Sequence, residues 1–326
     1  MKSYMRLRYI LLLLISVLIL GYVAFQWSKA EPGAKKIIVG VKALDEIEFW
    51  RVLIEGVNTA SREFGVDVSV VGPTQEIEVD LQIQLLEEAI KQKPDAIVMA
   101  AGDYNRLVPV AESIRKADIP LIMIDSAVNG DYAQSLIATD NVNAGQKAGK
   151  ELSSLLPADA KVAIVSFVQG ASTQIEREQG VRSILESRSG TEIVGTYYSE
   201  GKEERAYEIT KKLLLERPDL NGIVGLNEPS TVGAGRAIRE LGLGGKVKLV
   251  GFDSSVKEVK LLEEGVLQAT IVQKPFNIGY LGIKTAVSII EGDKVSRNVY
   301  TDSVVINKDN MYTEENQKLL FPFVEE

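Results

Sequence analysis

The chain of 326 residues contains no cysteine and no histidine. The first absence removes disulfides, thiolate nucleophiles and thiolate metal ligands. It also leaves no cysteine to carry a lipid behind an apolar leader. The second removes histidine-based triads, most zinc sites and the usual general base near neutral pH. Positive charge is in deficit: 37 Lys and Arg stand against 45 Asp and Glu, a net charge of −8. With a pI near 5.0, nucleic acid is not expected as the partner. No short repeat or low-complexity stretch occurs. What is present is a globular composition, 45% hydrophobic and 25% charged, at a length that suits two domains.

Residues 1–30 differ from the rest. Lys2, Arg6 and Arg8 precede an uncharged run, Tyr9–Ser28. Such a run is about long enough to span a bilayer as a helix, and the positive residues place its start in the cytoplasm. Two readings compete, a retained anchor or a signal peptide cleaved after Ser28-Lys29-Ala30. The anchor is preferred, because the run exceeds the usual signal core and Phe25 and Trp27 sit at its outer end as an aromatic belt would.

From Lys36 onward, apolar strands alternate with stretches of helical spacing. Lys36–Val41, Val66–Val71, Ala96–Ala100 and Leu121–Ile124 read as strands. Phe49–Phe64, Glu76–Lys91 and Tyr104–Ala117 read as helices, the second with Leu81, Leu85, Leu86 and Ala89 inward. After Leu136–Thr139 the alternation restarts at Asn141 and runs to a last strand at Ser303–Ile306. Continuous apolar strands separated by helices predict an α/β chain with parallel sheets covered on both faces.

The strand ends carry the candidate site. Asp125, Asn227, Asp253 and Gln273 each stand at or just after the end of a strand. The pair Phe49-Trp50 comes after the loop that leaves the first strand, and Arg177 lies in the helix after Lys161–Phe167. In open α/β sheets ligands bind at the carboxyl ends of strands. An aromatic pair, two carboxylates, a guanidinium and two amides match a monosaccharide, whose C–H faces pack on a ring and whose hydroxyls both donate and accept. Each residue also has a plainer reading. Asn227, Asp253 and Gln273 can cap helices or start turns. Phe49-Trp50 can be helix core, and Arg177 can pair with Glu176 or Glu178 on a surface.

The segments EFWRVLIEG, KPDAIVMAAGD, IPLIMIDSAV, IATDNVNAGQKAG, GASTQIEREQGVRSIL, VKLVGFDSS and LQATIVQKPFNIGYLG, in that order and spacing, carry a resemblance. Over roughly Lys35–Asn310 the chain resembles the type I periplasmic sugar-binding proteins, the group containing ribose-binding protein. The resemblance implies two doubly wound parallel-sheet domains joined by a three-strand hinge, with crossovers near Thr139, Lys274 and Thr301. The first domain would be 36–139 plus 274–301, the second 140–273 plus 302–310, and 311–326 a tail that Phe321–Phe323 packs back. It further implies that Phe49 and Trp50 form the aromatic platform and that Asp125, Arg177, Asn227, Asp253 and Gln273 hold the sugar. Three departures stand against ribose itself. Ser126 comes after the first carboxylate where ribose binders have Arg, Ile47 replaces an Asn, and an aromatic of the opposite wall falls near Gly201. A pentose such as xylose is the expected ligand, with hexoses open.

Rival functions fare worse. A repressor would begin with a helix-turn-helix, where this chain has its apolar segment. Gly233-Ala234-Gly235 lacks the third glycine of a dinucleotide fingerprint, and Gly242–Lys246 does not complete a phosphate loop. A glycosidase would use Asp125 and Asp253 as its acid and base, but the amides and Arg177 around them suit static recognition. The expectation is a binding protein without cofactor or metal, closing on its sugar. Its membrane partner would be a sugar permease of the ABC type or a sensor histidine kinase.

Overall fold

The computed structural model describes residues 34–44 and 47–321. The expected anchor or signal segment, 1–30, lies outside the described residues. Among the described residues no helix is long and apolar enough to cross a membrane.

In chain order the first elements are β1 (Lys36–Gly40), α1 (Glu48–Phe64), β2 (Asp67–Val71), α2 (Val79–Lys91), β3 (Ala96–Met99), α3 (Val108–Lys116), β4 (Leu121–Ile124) and β5 (Ser135–Thr139). Then come α4 (Asn141–Leu155), β6 (Ala160–Ser166), α5 (Ser172–Leu185), β7 (Thr191–Tyr198), α6 (Glu203–Glu216), β8 (Gly222–Gly225), α7 (Glu228–Glu240), β9 (Lys248–Phe252), α8 (Val256–Glu263) and β10 (Ala269–Val272). The last elements are α9 (Pro275–Ile290), β11 (Asn298–Thr301), β12 (Val304–Asn307) and α10 (Glu314–Leu320).

The strands form two six-stranded sheets, ordered β11-β5-β4-β3-β1-β2 and β12-β10-β9-β8-β6-β7. All pairings are parallel except β12 against β10. The fold is therefore α/β with two parallel-sheet lobes, each wound in the same sense. The second strand of each lobe lies outside the first, so the order reverses between β1 and β3, and again between β6 and β8. Such switch points open a crevice at the strands' carboxyl ends. The chain passes between the sheets after β5, after β10 and after β11. Helix α9 packs on α1 and on β3, β4 and β5 of the first lobe, whereas α4 packs on α5 and on β8, β9 and β10 of the second.

Burial tracks the apolar runs. The stretches Ala96–Met99 and Leu121–Ile124 are buried throughout, as expected of strands covered on both faces. An apolar core lies on each face of each sheet. In the second lobe α4 and α5 approach closely enough that a Cβ on Gly145 would stand 2.2 Å from Arg177 O, and one on Gly180 2.2 Å from Val142 O. Only glycine permits this contact, and it sets the height at which Arg177 leaves α5.

Some sequence expectations need correction. Helix α2 starts at Val79 rather than Glu76, and Leu81 is 38% exposed rather than inward. The inward place is taken by Gln82, whose Nε2 donates to Val41 O and Ala100 O while its Oε1 accepts from Gly102 N–H. This amide satisfies backbone groups at the ends of β1 and β3 that burial would otherwise leave unpaired. Helix α3 starts at Val108 rather than Tyr104, because Asp103 Oδ1 holds the N–H groups of Asn105 and Arg106 in a turn. Strand β11 and helices α8 and α10 add to the sequence reading. Residues 311–320 lie on the second lobe, with Met311 and Leu320 in its core.

Candidate ligand-binding site

A single cavity between the lobes is lined by Phe49, Trp50, Asp125, Arg177, Asn227, Asp253 and Gln273, every residue singled out from the sequence, together with Lys42, Ile47, Glu76, Phe167, Thr173 and Pro229. Its empty volume, counted out to open solvent, is about 320 Å³. A larger cavity of about 740 Å³ lies on the hinge side and shares Phe49, Asp253 and Gln273. It lacks Asp125, Arg177 and Asn227, so its chemistry is the poorer one.

Asp125 and Asp253 occupy equivalent places, directly after β4 and β9. Both have left-handed backbones, with φ of 58° and 75°. A residue other than glycine adopts this region at a cost of roughly 1–3 kcal/mol, and such positions cluster at functional sites. The turn aims each carboxylate off its strand end and into the cleft. Asp125 Oδ2 lies 2.7 Å from Lys42 Nζ, and both side chains are almost fully buried. Asp253 Oδ1 accepts from Gln273 Nε2 at 2.5 Å, and its Oδ2 accepts from Glu228 N–H at 3.2 Å. Burial pushes the Asp253 carboxyl above its ordinary range, with the Arg177 charge as the strongest opposing influence. The capping alternative fails for Asp253, since Ser255 is the N-cap of α8.

The same alternative holds for Asn227. It is the N-cap of α7, and its Oδ1 accepts from Ser230 N–H at 3.1 Å. Its amide nitrogen remains as the donor end at the cavity. Gln273 joins two crossings: its Oε1 accepts from Thr139 Oγ1 at 2.7 Å, at the end of β5.

Arg177 is no surface pair. It is 3% exposed, donates from Nε to Asn141 Oδ1 at 2.9 Å and from Nη1 to Leu226 O at 2.8 Å. Its guanidinium carbon sits 4.8 Å from the Phe252 ring centroid. These contacts use part of the five-donor fork and fix its plane. Trp50 and Phe49 meet edge to face, with ring centroids 5.1 Å apart at 85°. Both belong to the first lobe's core as well as to the cavity, so the core and platform readings hold together.

Lys42 is the residue that sequence reasoning passed over. Ser126, which stands where ribose binders have Arg, is buried and donates from Oγ to Ala101 O at 2.8 Å. The cation beside Asp125 comes instead from Lys42, two residues past β1. A lysine closing an otherwise apolar strand was the available signal, by the same strand-end rule that found the others. Phe167 had a similar signal at the end of β6. Ile47 lines the cavity and brings no polar group where an Asn was expected.

Comparison with known proteins accords with this geometry. Residues 37–294 match the family described as periplasmic binding protein domain. The chain is 27% identical over 278 residues to the ribose import binding protein RbsB of Bacillus subtilis, covering 84% of this chain and 89% of that protein. Among solved structures, a carbohydrate transporter solute binding protein from Agrobacterium radiobacter, in complex with D-arabinose, is 30% identical. It superposes with a TM-score of 0.85 over 88% of this chain and 99% of its own. An ABC transporter solute binding protein from Agrobacterium vitis with bound D-fucose is 33% identical, again with a TM-score of 0.85, over 87% of this chain and 99% of its own.

Proposed function

The chain belongs to the periplasmic binding protein family, whose members bind solutes rather than transform them, and on that premise we propose that it binds a monosaccharide in the cavity between its lobes. The observation that carries this reading is the convergence in one cavity of Asp125, Arg177, Asn227, Asp253 and Gln273 with Phe49 and Trp50. The lobes are proposed as 36–139 with 274–301 and 140–273 with 302–310, hinged near Thr139, Lys274 and Thr301. Carboxylates and amides accept and donate to sugar hydroxyls, while the aromatic pair takes the C–H face. A pentose such as xylose is the proposed ligand, on the departures from the ribose pattern at Ser126, Ile47 and Gly201, and the buried Lys42–Asp125 pair adds a donor to the first lobe's side of the site. The names of the relatives, a ribose import protein and two transporter components, support delivery of the sugar to an ABC permease. A thermal-shift screen of the segment from Lys35 onward with D-xylose, D-ribose, D-arabinose, D-allose and D-fucose tests the reading. A ligand bound to the native state alone raises apparent stability by RT ln(1 + [L]/Kd). A shift with a pentose is the expected result, and a folded protein that no sugar shifts at millimolar concentration would refute it.

We further propose that residues 9–28 hold the protein on the outer face of the cytoplasmic membrane. The uncharged run and the preceding Lys2, Arg6 and Arg8 support this. Cell fractionation with N-terminal sequencing is the check. A membrane-bound chain that keeps residues 1–30 is expected; a soluble chain starting at Glu31 would show a cleaved leader instead. A retained anchor also suits a sensor histidine kinase as partner. An adjacent kinase gene supports that role, and adjacent permease and ATPase genes support import.

A further inference from the structure

Trp50 is buried to 1% exposure, yet its indole N–H is a polar donor that burial makes costly to leave unpaired. The N–H donates to Glu76 Oε1 at 2.9 Å. Glu76 is not on a helix: it sits in the connection between β2 and α2. That connection is itself fastened, because Gln75 N–H donates to Glu78 Oε2 at 2.8 Å and Glu78 N–H to Gln75 O at 3.0 Å. Glu76 is thus a carboxylate on a short, tied turn, reaching sideways to the one polar atom of the aromatic platform.

Two further contacts, besides the apolar side chains of the core, bear on the indole. The Phe49 ring meets it edge to face, and Lys42 Nζ lies 5.3 Å from its centroid. Core packing holds the ring in one rotamer well, and within that well these two contacts leave a range of tilt about the Cβ–Cγ bond. A charge-assisted hydrogen bond is directional and does fix it. The plane of the indole is the surface on which a sugar's C–H face would rest, so its tilt decides which hydroxyls reach Asp125, Arg177 and Asp253. Glu76 also forms part of the wall shared by the cavity and the open groove beside it. There its Oε2 lies 3.6 Å from the place a Cβ on Gly201 of the second lobe would occupy. Two routes are therefore open to Glu76, one through the indole and one across the cleft.

We propose that Glu76 is a positioning residue for the sugar, acting through the Trp50 indole N–H to fix the plane of the aromatic platform and so the choice among sugar epimers. This rests on the sugar-binding reading above. The test uses calorimetric titration of the full chain with the tightest binder among D-xylose, D-ribose, D-arabinose, D-allose and D-fucose. Glu76→Ala is expected to weaken affinity about tenfold and to change the order of preference among the sugars. Glu76→Gln keeps a carbonyl acceptor for the N–H and is expected to restore both. In a Trp50→Phe background, which has no N–H, Glu76→Ala is expected to change nothing further. A loss that persists undiminished in that background would overturn the proposal and assign Glu76 to the sugar or to the second lobe.

A second readout needs no sugar. The Trp50 indole N–H signal in proton NMR, identified by its disappearance in Trp50→Phe, is expected to shift and lose exchange protection in Glu76→Ala and to stay protected in Glu76→Gln. An unmoved signal would overturn the proposal even if Trp50→Phe binds too weakly to titrate. If the wild type binds no sugar of the panel, the functional reading fails and this one with it. If the wild type binds and Glu76→Ala binds as well with unchanged preference, this inference alone fails.

Discussion

Asp253→Asn is expected to bind sugar about a hundredfold more weakly than the wild type and to resist urea at least as well. The two effects run in opposite directions because the carboxylate serves the ligand and burdens the fold. It is only 7% exposed and lies in an acidic neighbourhood. Glu228 is pushed up to about 8 by burial first and by Asp253 next. Glu258, fully buried, is held well above its ordinary range by burial and then by Glu228 and Asp253. Taking the charge from Asp253 relieves both neighbours, which offsets the one hydrogen bond the amide gives up, since its single oxygen can accept from Gln273 or from the Glu228 N–H but not from both. The sugar loses a double acceptor whose charge-assisted hydrogen bonds contribute roughly 1.5–3 kcal/mol each, and each 1.4 kcal/mol is about tenfold in affinity. Arg177→Ala would be a poorer test. Arg177 also holds Asn141 and Leu226 and covers Phe252, so its removal would damage fold and site together. Calorimetry for affinity and urea unfolding for stability check the prediction. Wild-type affinity in Asp253→Asn would remove Asp253 from the site.

The parallel sheets were legible because their strands are buried on both faces and so read as unbroken apolar runs. The candidate site was legible because a parallel sheet ends all its strands on one side. Asp125, Asn227, Asp253 and Gln273 could then be found as the polar residues at the end of each apolar run. Less legible were residues whose role depends on the other chain segments they meet. Gln82 lies on a helix face that periodicity assigned to Leu81, and only the backbone groups left open by β1 and β3 explain the exchange. Glu76 was read as the first residue of a helix. Its meaning appears only when the turn brings it against an indole 26 positions earlier in the chain. Strand β11 carries one buried residue among its four, so it has no apolar signature, and its place beside β5 is a matter of tertiary pairing.

Sugar affinity is expected to fall as pH rises from about 5 to about 8, and Glu228→Gln is expected to remove that slope. Glu228 opens α7 of the second lobe, and its Oε2 accepts from the N–H of Glu48, in α1 of the first lobe, at 3.2 Å. Closing the lobes therefore helps to bury it. The groups facing it are mostly acidic: the Glu48 carboxylate from α1, Asp253 after β9, and Glu258 from α8. Across the adjoining groove stand Glu76, Glu200, Lys202, Glu203 and Lys257, and Lys257 is held by Glu203 at 2.7 Å. Burial raises the Glu228 carboxyl from 4.5 to about 8. With the lobes apart and water admitted, it returns toward its ordinary value. Closing then takes up a proton at any pH between the two values. Below that window both forms carry the proton, above it neither does, and affinity is flat on either side. Within it a full proton is worth about 1.4 kcal/mol, or tenfold, per pH unit. Glu258 is buried inside the second lobe alone, so the burial that chiefly raises its carboxyl is the same whether the lobes are open or closed. Its raised carboxyl stabilises the fold at low pH, and that contribution is lost as pH rises. Glu258→Gln should therefore alter the pH dependence of unfolding and leave that of binding intact. Titration calorimetry from about pH 5 to about pH 9, in buffers of different ionisation enthalpy, counts the proton directly. A wild type whose affinity ignores pH, or a Glu228→Gln variant that keeps the wild-type slope, would show that the lobes close without Glu228 as a proton-linked contact.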